Sequence, residues 1–176
     1  MEKILIIVDR KWYDENKKLI KEIKFNREEE INLITVNTKS PNFSYIILNE
    51  ISQRKSEQIL LINTKFNSNH KILNEIIDKI KQNQCLIYSK KLLEFDFTLL
   101  ENDTIICFSS DIFKKDLSQY KFSTFLNLQK YLISYIVKSS RFLVKLLSGG
   151  PLKWIDAVTN EDVIIKNTRK NKPKKY

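Results

Sequence analysis

Few side chains in this sequence are of the kinds that do chemistry, and their spacing decides what they could do. His70 is the sole histidine and stands behind Asn67-Ser68-Asn69 at the head of a helical pattern. That position predicts a helix-start residue, not a general base. One His and two Cys cannot assemble a His/Cys zinc site. A Ser-His-Asp triad would need His70, and no nucleophile elbow flanks any serine. Cys85 and Cys107 lie inside apolar runs, which predicts buried free thiols and excludes a disulfide framework. The two glycines stand together at Gly149-Gly150, away from any strand-to-helix turn. Backbone amides therefore have no glycine-rich loop in which to cradle a phosphate.

Carboxylates at strand ends are the remaining candidates. Asp9 closes the first apolar run, and Asp111 follows another in Ser109-Ser110-Asp111. Metal-dependent nucleases gather several such carboxylates around Mg²⁺. In a flavodoxin-like order the first and fifth strands are separated by two others, which puts their ends ~14 Å apart. Asp103 precedes the fifth strand and would lie at the opposite edge. Asp9 and Asp111 are therefore expected to cap helices or face water. Trp12 and Trp154 are read as core or interface anchors. No catalytic, cofactor-binding or metal-ligating residue, and no cofactor, is expected.

The elements that position these residues follow from the apolar pattern. Runs at 4–8, 31–36, 59–62, 85–88 and 104–108 read as buried strands. Between them, Leu19, Ile20 and Ile23, then Tyr45 to Ile51, then Ile72, Leu73, Ile76, Ile77 and Ile80 recur at helical spacing. The segment 92–100 fits either a short helix or an extended loop. A long helix is expected from Phe122 to about Leu147, stopped by Gly149-Gly150-Pro151. Lys153 to Ile165 could form a hairpin turning at Thr159-Asn160-Glu161-Asp162. The alternation predicts an α/β fold: a three-layer, flavodoxin-like parallel sheet of about five strands. The expected division is an α/β domain at 1–148, a hairpin extension at 149–165 and a basic tail at 166–176.

Charge points to the partner. The chain holds 31 Lys and Arg against 21 Asp and Glu, a net charge of +10 in 176 residues. Such a surplus favours a polyanion, nucleic acid before an anionic membrane surface. The abundance of Ile, Asn, Lys and Tyr also suits AT-rich coding DNA. The tail holds six basic residues and no acid. Arg169, Lys170, Lys172, Lys174 and Lys175 are the candidate phosphate contacts of an arm that orders on RNA. No presequence and no membrane-spanning run is visible.

One stretch carries a family resemblance. Leu60-Leu61-Ile62-Asn63 leads to His70-Lys71-Ile72-Leu73-Asn74-Glu75. After Cys85-Leu86-Ile87-Tyr88 comes Phe97-Thr98-Leu99-Leu100-Glu101-Asn102-Asp103-Thr104-Ile105. This order, with Asn102-Asp103 as the motif turn, resembles the second protein of the small ribosomal subunit, bacterial and organellar type. The family's Pro-Gly is Leu100-Glu101 here, and Ser40-Pro41-Asn42-Phe43 stands in place of its Gly-Gly-Leu-Thr-Asn stretch. The chain looks like a divergent, shortened version. The resemblance, over roughly residues 3–137, implies a non-catalytic α/β protein bound to small-subunit ribosomal RNA and to neighbouring ribosomal proteins. An organelle-encoded protein of the mitochondrial matrix would account for composition and missing presequence, with a bacterial cytoplasm as the alternative. Two other readings compete: a Rossmann-like metal-dependent nuclease or nucleotide-sensing domain, and an adaptor that binds a partner through its long aromatic helix.

Overall fold

The computed structural model describes residues 3–25, 27, 30–55, 57–63, 70–79, 85–89, 104–112, 119–138, 144–148 and 154–157; at 70, 89, 136–138, 144–148 and 154–157 the description is of the backbone. The elements run β1 (Lys3–Asp9), α1 (Arg10–Phe25), β2 (Glu30–Val36), α2 (Phe43–Gln53), β3 (Gln58–Ile62), α3 (His70–Lys79), β4 (Cys85–Ser89), β5 (Thr104–Ser109), α4 (Phe125–Lys138), β6 (Val144–Ser148) and β7 (Trp154–Ala157). A single 3-10 turn, Ser110–Ile112, follows β5.

All seven strands join one sheet in the order β2-β1-β3-β5-β4-β6-β7. β1 pairs in parallel with β2 and with β3, as the apolar runs suggest. β5 then inserts antiparallel between β3 and β4. β6 is parallel to β4, and β7 is antiparallel to β6. The sheet is thus mixed, and the flavodoxin-like parallel order is not what the chain adopts. Uninterrupted apolar strands such as Thr104–Ser109, buried along their whole length, report cover on both faces and are silent about direction. Direction depends on the connection. A parallel return must recross the sheet, whereas an antiparallel one needs only a turn back beside the strand just left. The ambiguous segment at 92–100 lies outside the described residues.

The second correction concerns the expected long helix. α4 covers Phe125–Lys138, and Val144–Ser148 is a strand. Leu143 and Leu146 continue the helical period, but a short apolar run serves equally as a strand. β6 satisfies the free edge of β4, pairing from Cys85↔Val144 to Ser89↔Ser148. Strand 144–148 pairs antiparallel with 154–157, ahead of the expected hairpin turn. The proposed turn at 159–162 lies outside the described residues.

Two apolar layers cover the sheet. On one face Leu5, Ile7, Ile59, Leu61, Ile87, Ile106 and Phe108 pack under α2 and α4, through Phe43, Ile47, Leu48, Phe125, Leu128 and Leu132. On the other, Ile4, Ile6, Leu60, Ile62, Leu86, Ile105 and Cys107 pack under α1 and α3, through Trp12, Ile20, Ile23, Leu73 and Ile76. The period-two alternation within each strand feeds both layers, as a sheet buried on both sides requires. Arg27, two residues past the end of α1, ties the chain there to α3, donating to Asp78 Oδ1 at 2.7 Å and to the Asn74 carbonyl and side-chain oxygens at 3.1 and 3.0 Å. No helix among the described residues is long and apolar enough to cross a membrane.

Candidate nucleic-acid interface

The carboxyl ends of β1 and β3 are where a ligand would sit in an open α/β sheet, because the chain leaves β1 toward one side for β2 and returns on the other for β3. Asp9 closes β1 there and is 8% exposed. Its Oδ1 accepts the amides of Lys11 at 2.9 Å and Trp12 at 3.4 Å, which makes it the cap of α1. Its Oδ2 accepts the Thr38 amide at 3.1 Å and the Thr38 hydroxyl at 2.7 Å, pinning the loop after β2. Burial pushes the Asp9 carboxyl upward, but the bonds from Thr38, Trp12 and Lys11 outweigh it and hold the group below its ordinary value. This carboxylate is occupied by its own backbone.

Beside it lies a buried amide network. Asn63, directly after β3, donates from Nδ2 to Gln129 Oε1 at 2.8 Å, while its backbone amide donates to the Thr104 carbonyl at 3.2 Å. Gln129 Nε2 donates to the carbonyls of Thr104 at 3.1 Å and Leu61 at 3.4 Å. Gln129 thus stitches α4 to the seam where β5 begins against β3, and Asn63 and Gln129 are both fully buried. A polar residue on the inward stripe Phe125, Leu128, Leu132 was the sequence signal for it. Nothing in the sequence alone said which strands it would join.

Asp111 lies at the other end of the sheet. β5 runs antiparallel, so its last residue, Ser109, pairs with Gln58 at the start of β3. The Ser110 amide donates to the Glu57 carbonyl at 2.8 Å, and the Glu57 amide donates to Ser110 Oγ at 3.1 Å. The length of β5, ~20 Å, therefore separates Asp111 from Asp9. The expected separation of the two carboxylates holds, but through strand direction and not through lateral spacing; β1 and β5 have β3 alone between them. Reversal also places Thr104 at the Asp9 edge, so the reason given for setting Asp103 aside falls, though Asn102 and Asp103 lie outside the described residues. No cluster of metal-binding side chains occurs among the described residues.

Cys85 and Cys107 are buried and free, and they face opposite layers of the core. Burial pushes the Cys85 thiol up to about 12. His70 opens α3, as expected of a helix-start residue. Trp12 is a core anchor, whereas the side chain of Trp154 and the tail residues Arg169, Lys170, Lys172, Lys174 and Lys175 lie outside the described residues.

Electrostatically the chain divides in two. Residues 1–116 carry nineteen Lys and Arg against eighteen Asp and Glu; residues 117–176 carry twelve against three. From Leu117 to Ile155 no acid occurs at all, while Lys121, Lys130, Lys138, Arg141, Lys145 and Lys153 do. Nearly the whole positive surplus belongs to the chain that builds α4, β6, β7 and the tail.

No protein-family model matches the chain, and the comparison with curated proteins gives no match either.

Proposed function

We propose that this chain is a non-catalytic RNA-binding protein of a small ribosomal subunit, of the mitochondrial type suggested by its composition. The observation that carries the reading is the confinement of the positive surplus to residues 117–176. Lys and Arg are almost as dense in residues 1–116, nineteen, as in residues 117–176, twelve; the block arises because acid falls from eighteen to three, which a codon bias toward Lys does not produce. A block of one sign answers a polyanion, since each phosphate neutralised releases condensed counterions. The resemblance at Asn102-Asp103 adds the ribosome to that general reading. The antiparallel β5 withdraws the flavodoxin-like order from its support, leaving charge and motif to bear it. Sedimentation of the native protein through sucrose tests it. Cofractionation with small subunits at low salt, lost at high salt, is the expected result; a free protein at every salt concentration sinks the assignment.

A second reading rests on topology alone, the divergence of the chain from β1 to β2 on one side and to β3 on the other. That divergence suits a nucleotide-sensing domain of the same α/β class. Its test is a thermal melt with nucleoside mono-, di- and triphosphates, where a saturable rise would favour it over the ribosomal reading. A metal-dependent nuclease requires carboxylates that converge. RNA cleavage with Mg²⁺ that Asp111→Asn abolishes would establish it against the geometry described above.

A further inference from the structure

Beyond the tail, we infer that a tyrosine shelf between α2 and α4 is the ordered part of the nucleic-acid surface, and that it takes single-stranded RNA by stacking unpaired bases. This rests on the RNA-binding reading above and assigns that reading a place on the folded domain. The segment ahead of α4 brings Tyr120 and Phe122 against Tyr131, with ring centroids 5.3 and 5.0 Å apart. The Phe122 amide donates to Ser44 Oγ at 3.2 Å, which locks this segment onto the start of α2. The next two residues of α2 are Tyr45 and Ile46, and they turn outward. Tyr45 is 52% exposed, Ile46 41% and Tyr120 41%. Two of the four large hydrophobic side chains that stand exposed among the described residues, Tyr45 and Tyr120, are thus next or next but one in the chain to the bonded pair Ser44 and Phe122.

Burial, a hydrogen bond that the Tyr131 hydroxyl donates to Tyr120, and the nearby Tyr120 and Tyr135 hydroxyls raise Tyr131 above the usual phenol value. Tyr120 lies at 38° to Tyr131, with its outer part open to solvent.

Charge selects the occupant. Lys121 stands exposed between Tyr120 and Phe122, and Lys39 stands exposed just before α2. α4 contains two lysines and no acid. The one acid of α2, Glu50, is bound by Arg54 at 3.1 Å. Among the described residues the charge left unpaired here is positive, which favours a polyanion over an uncharged apolar protein face. A nucleic-acid strand gains twice, by phosphate neutralisation and by ring stacking, the combination that serves single strands without reading their sequence. A duplex hides its base faces and can use only the charge.

The test uses the full-length chain and a short fluorescein-labelled oligouridylate, titrated by anisotropy over a range of KCl concentrations. Tyr120→Ala should weaken binding about fivefold to a hundredfold with the salt slope unchanged. Tyr120→Phe should retain most of the affinity. Lys121→Gln should lower the log–log salt slope by about 0.7. Tyr45→Ala, at a position 52% exposed, should weaken binding in the same sense and guards against a folding defect in the Tyr120 variant. Wild-type affinity in both alanine variants overturns the shelf while leaving RNA binding to the tail. Absence of binding by the wild-type chain to oligouridylate and to ribosomal RNA alike overturns the shelf together with the reading beneath it.

Discussion

The sheet edge at β1 and β3 and the corner where α2 meets α4 are both rich in polar and aromatic groups, yet they spend them differently. At the edge, Asp9, Asn63 and Gln129 turn inward and bond to backbone or neighbouring side chains of the same domain. At the corner, Tyr45 and Tyr120 stand exposed, with Lys121 next to Tyr120 in the chain. Both regions draw on both parts of the chain, Gln129 joining the edge from the basic part and Tyr45 joining the corner from the balanced one. The lesson is that a polar cluster at the customary ligand position of a sheet is no evidence of a ligand until its hydrogen bonds have been traced.

Changes at the edge should cost stability, and those at the corner or tail should cost binding. The largest effect is expected from Gln129→Ala. It removes three hydrogen bonds in a fully buried setting and leaves a cavity under α4, which should lower the unfolding free energy by about 3 kcal/mol. Urea denaturation measures this. RNA affinity of the folded fraction, measured in the cold, should move less than about twofold, and a larger loss would erase the division between the two regions.

Tail truncation comes next and acts in the opposite direction. Deleting residues 167–176 removes Arg169, Lys170, Lys172, Lys174 and Lys175. The salt slope of RNA binding should flatten by about 3 to 4 if each meets a phosphate, at roughly 0.7 per contact on single strands. The melting temperature of the free protein should stay within about 2 °C, because no core side chain is lost. An unchanged slope would move the phosphate contacts off the tail; a large fall in melting temperature would mean that the tail packs on the domain.

Asp9→Ala should cost about 1–2 kcal/mol at pH 7, the range for losing a helix cap. The pH dependence has a definite sign. Because the folded carboxyl lies below its ordinary value of 3.8, the contribution is fully present above that value and is lost as pH falls through the folded one. Wild type and variant should thus converge in stability under strong acid. Parallel curves down to pH 2 would show that the carboxylate's charge contributes nothing.

The smallest effect concerns the thiols. Cys85 and Cys107 lie in opposite layers of the core, so an oxidant should leave the native protein without an intramolecular disulfide. Both should react with a thiol reagent only at the rate of opening, and fast labelling of Cys85 in native buffer would contradict its burial.

Much of the framework was legible in the residues. Ile4 to Val8, Ile31 to Val36 and Ile59 to Ile62 announced strands, and the described strands match them to within a residue. The capping role of Asp9 was legible too, since an acid between an apolar run and a helical period is a cap by default. What could not be read was pairing. The direction of β5 depends on how the chain turns back beside β4, and the choice of strand over helix at Val144–Ser148 depends on an edge 55 residues upstream that lacked a partner. Periodicity is local and these decisions are not. The corner was obscure for the same reason: Tyr45 and Tyr120 are 75 positions apart, and only the bond from Phe122 to Ser44 makes them neighbours.

The inverted strand β5 also sets a timetable for synthesis. β1 pairs with β2 and with β3, so the first 62 residues contain three adjacent strands, with the far edge of β3 left for β5. β4 is made next but pairs with β5 and β6, both still to come. A nascent chain ending near residue 100 therefore carries an apolar strand, Cys85–Ser89, with neither of its sheet neighbours yet translated. Exposed strand edges of that kind recruit chaperones or other strands. The emergence of residues 104–109 gives β3 its second partner and β4 its first, while the other edge of β4 waits for residues 144–148.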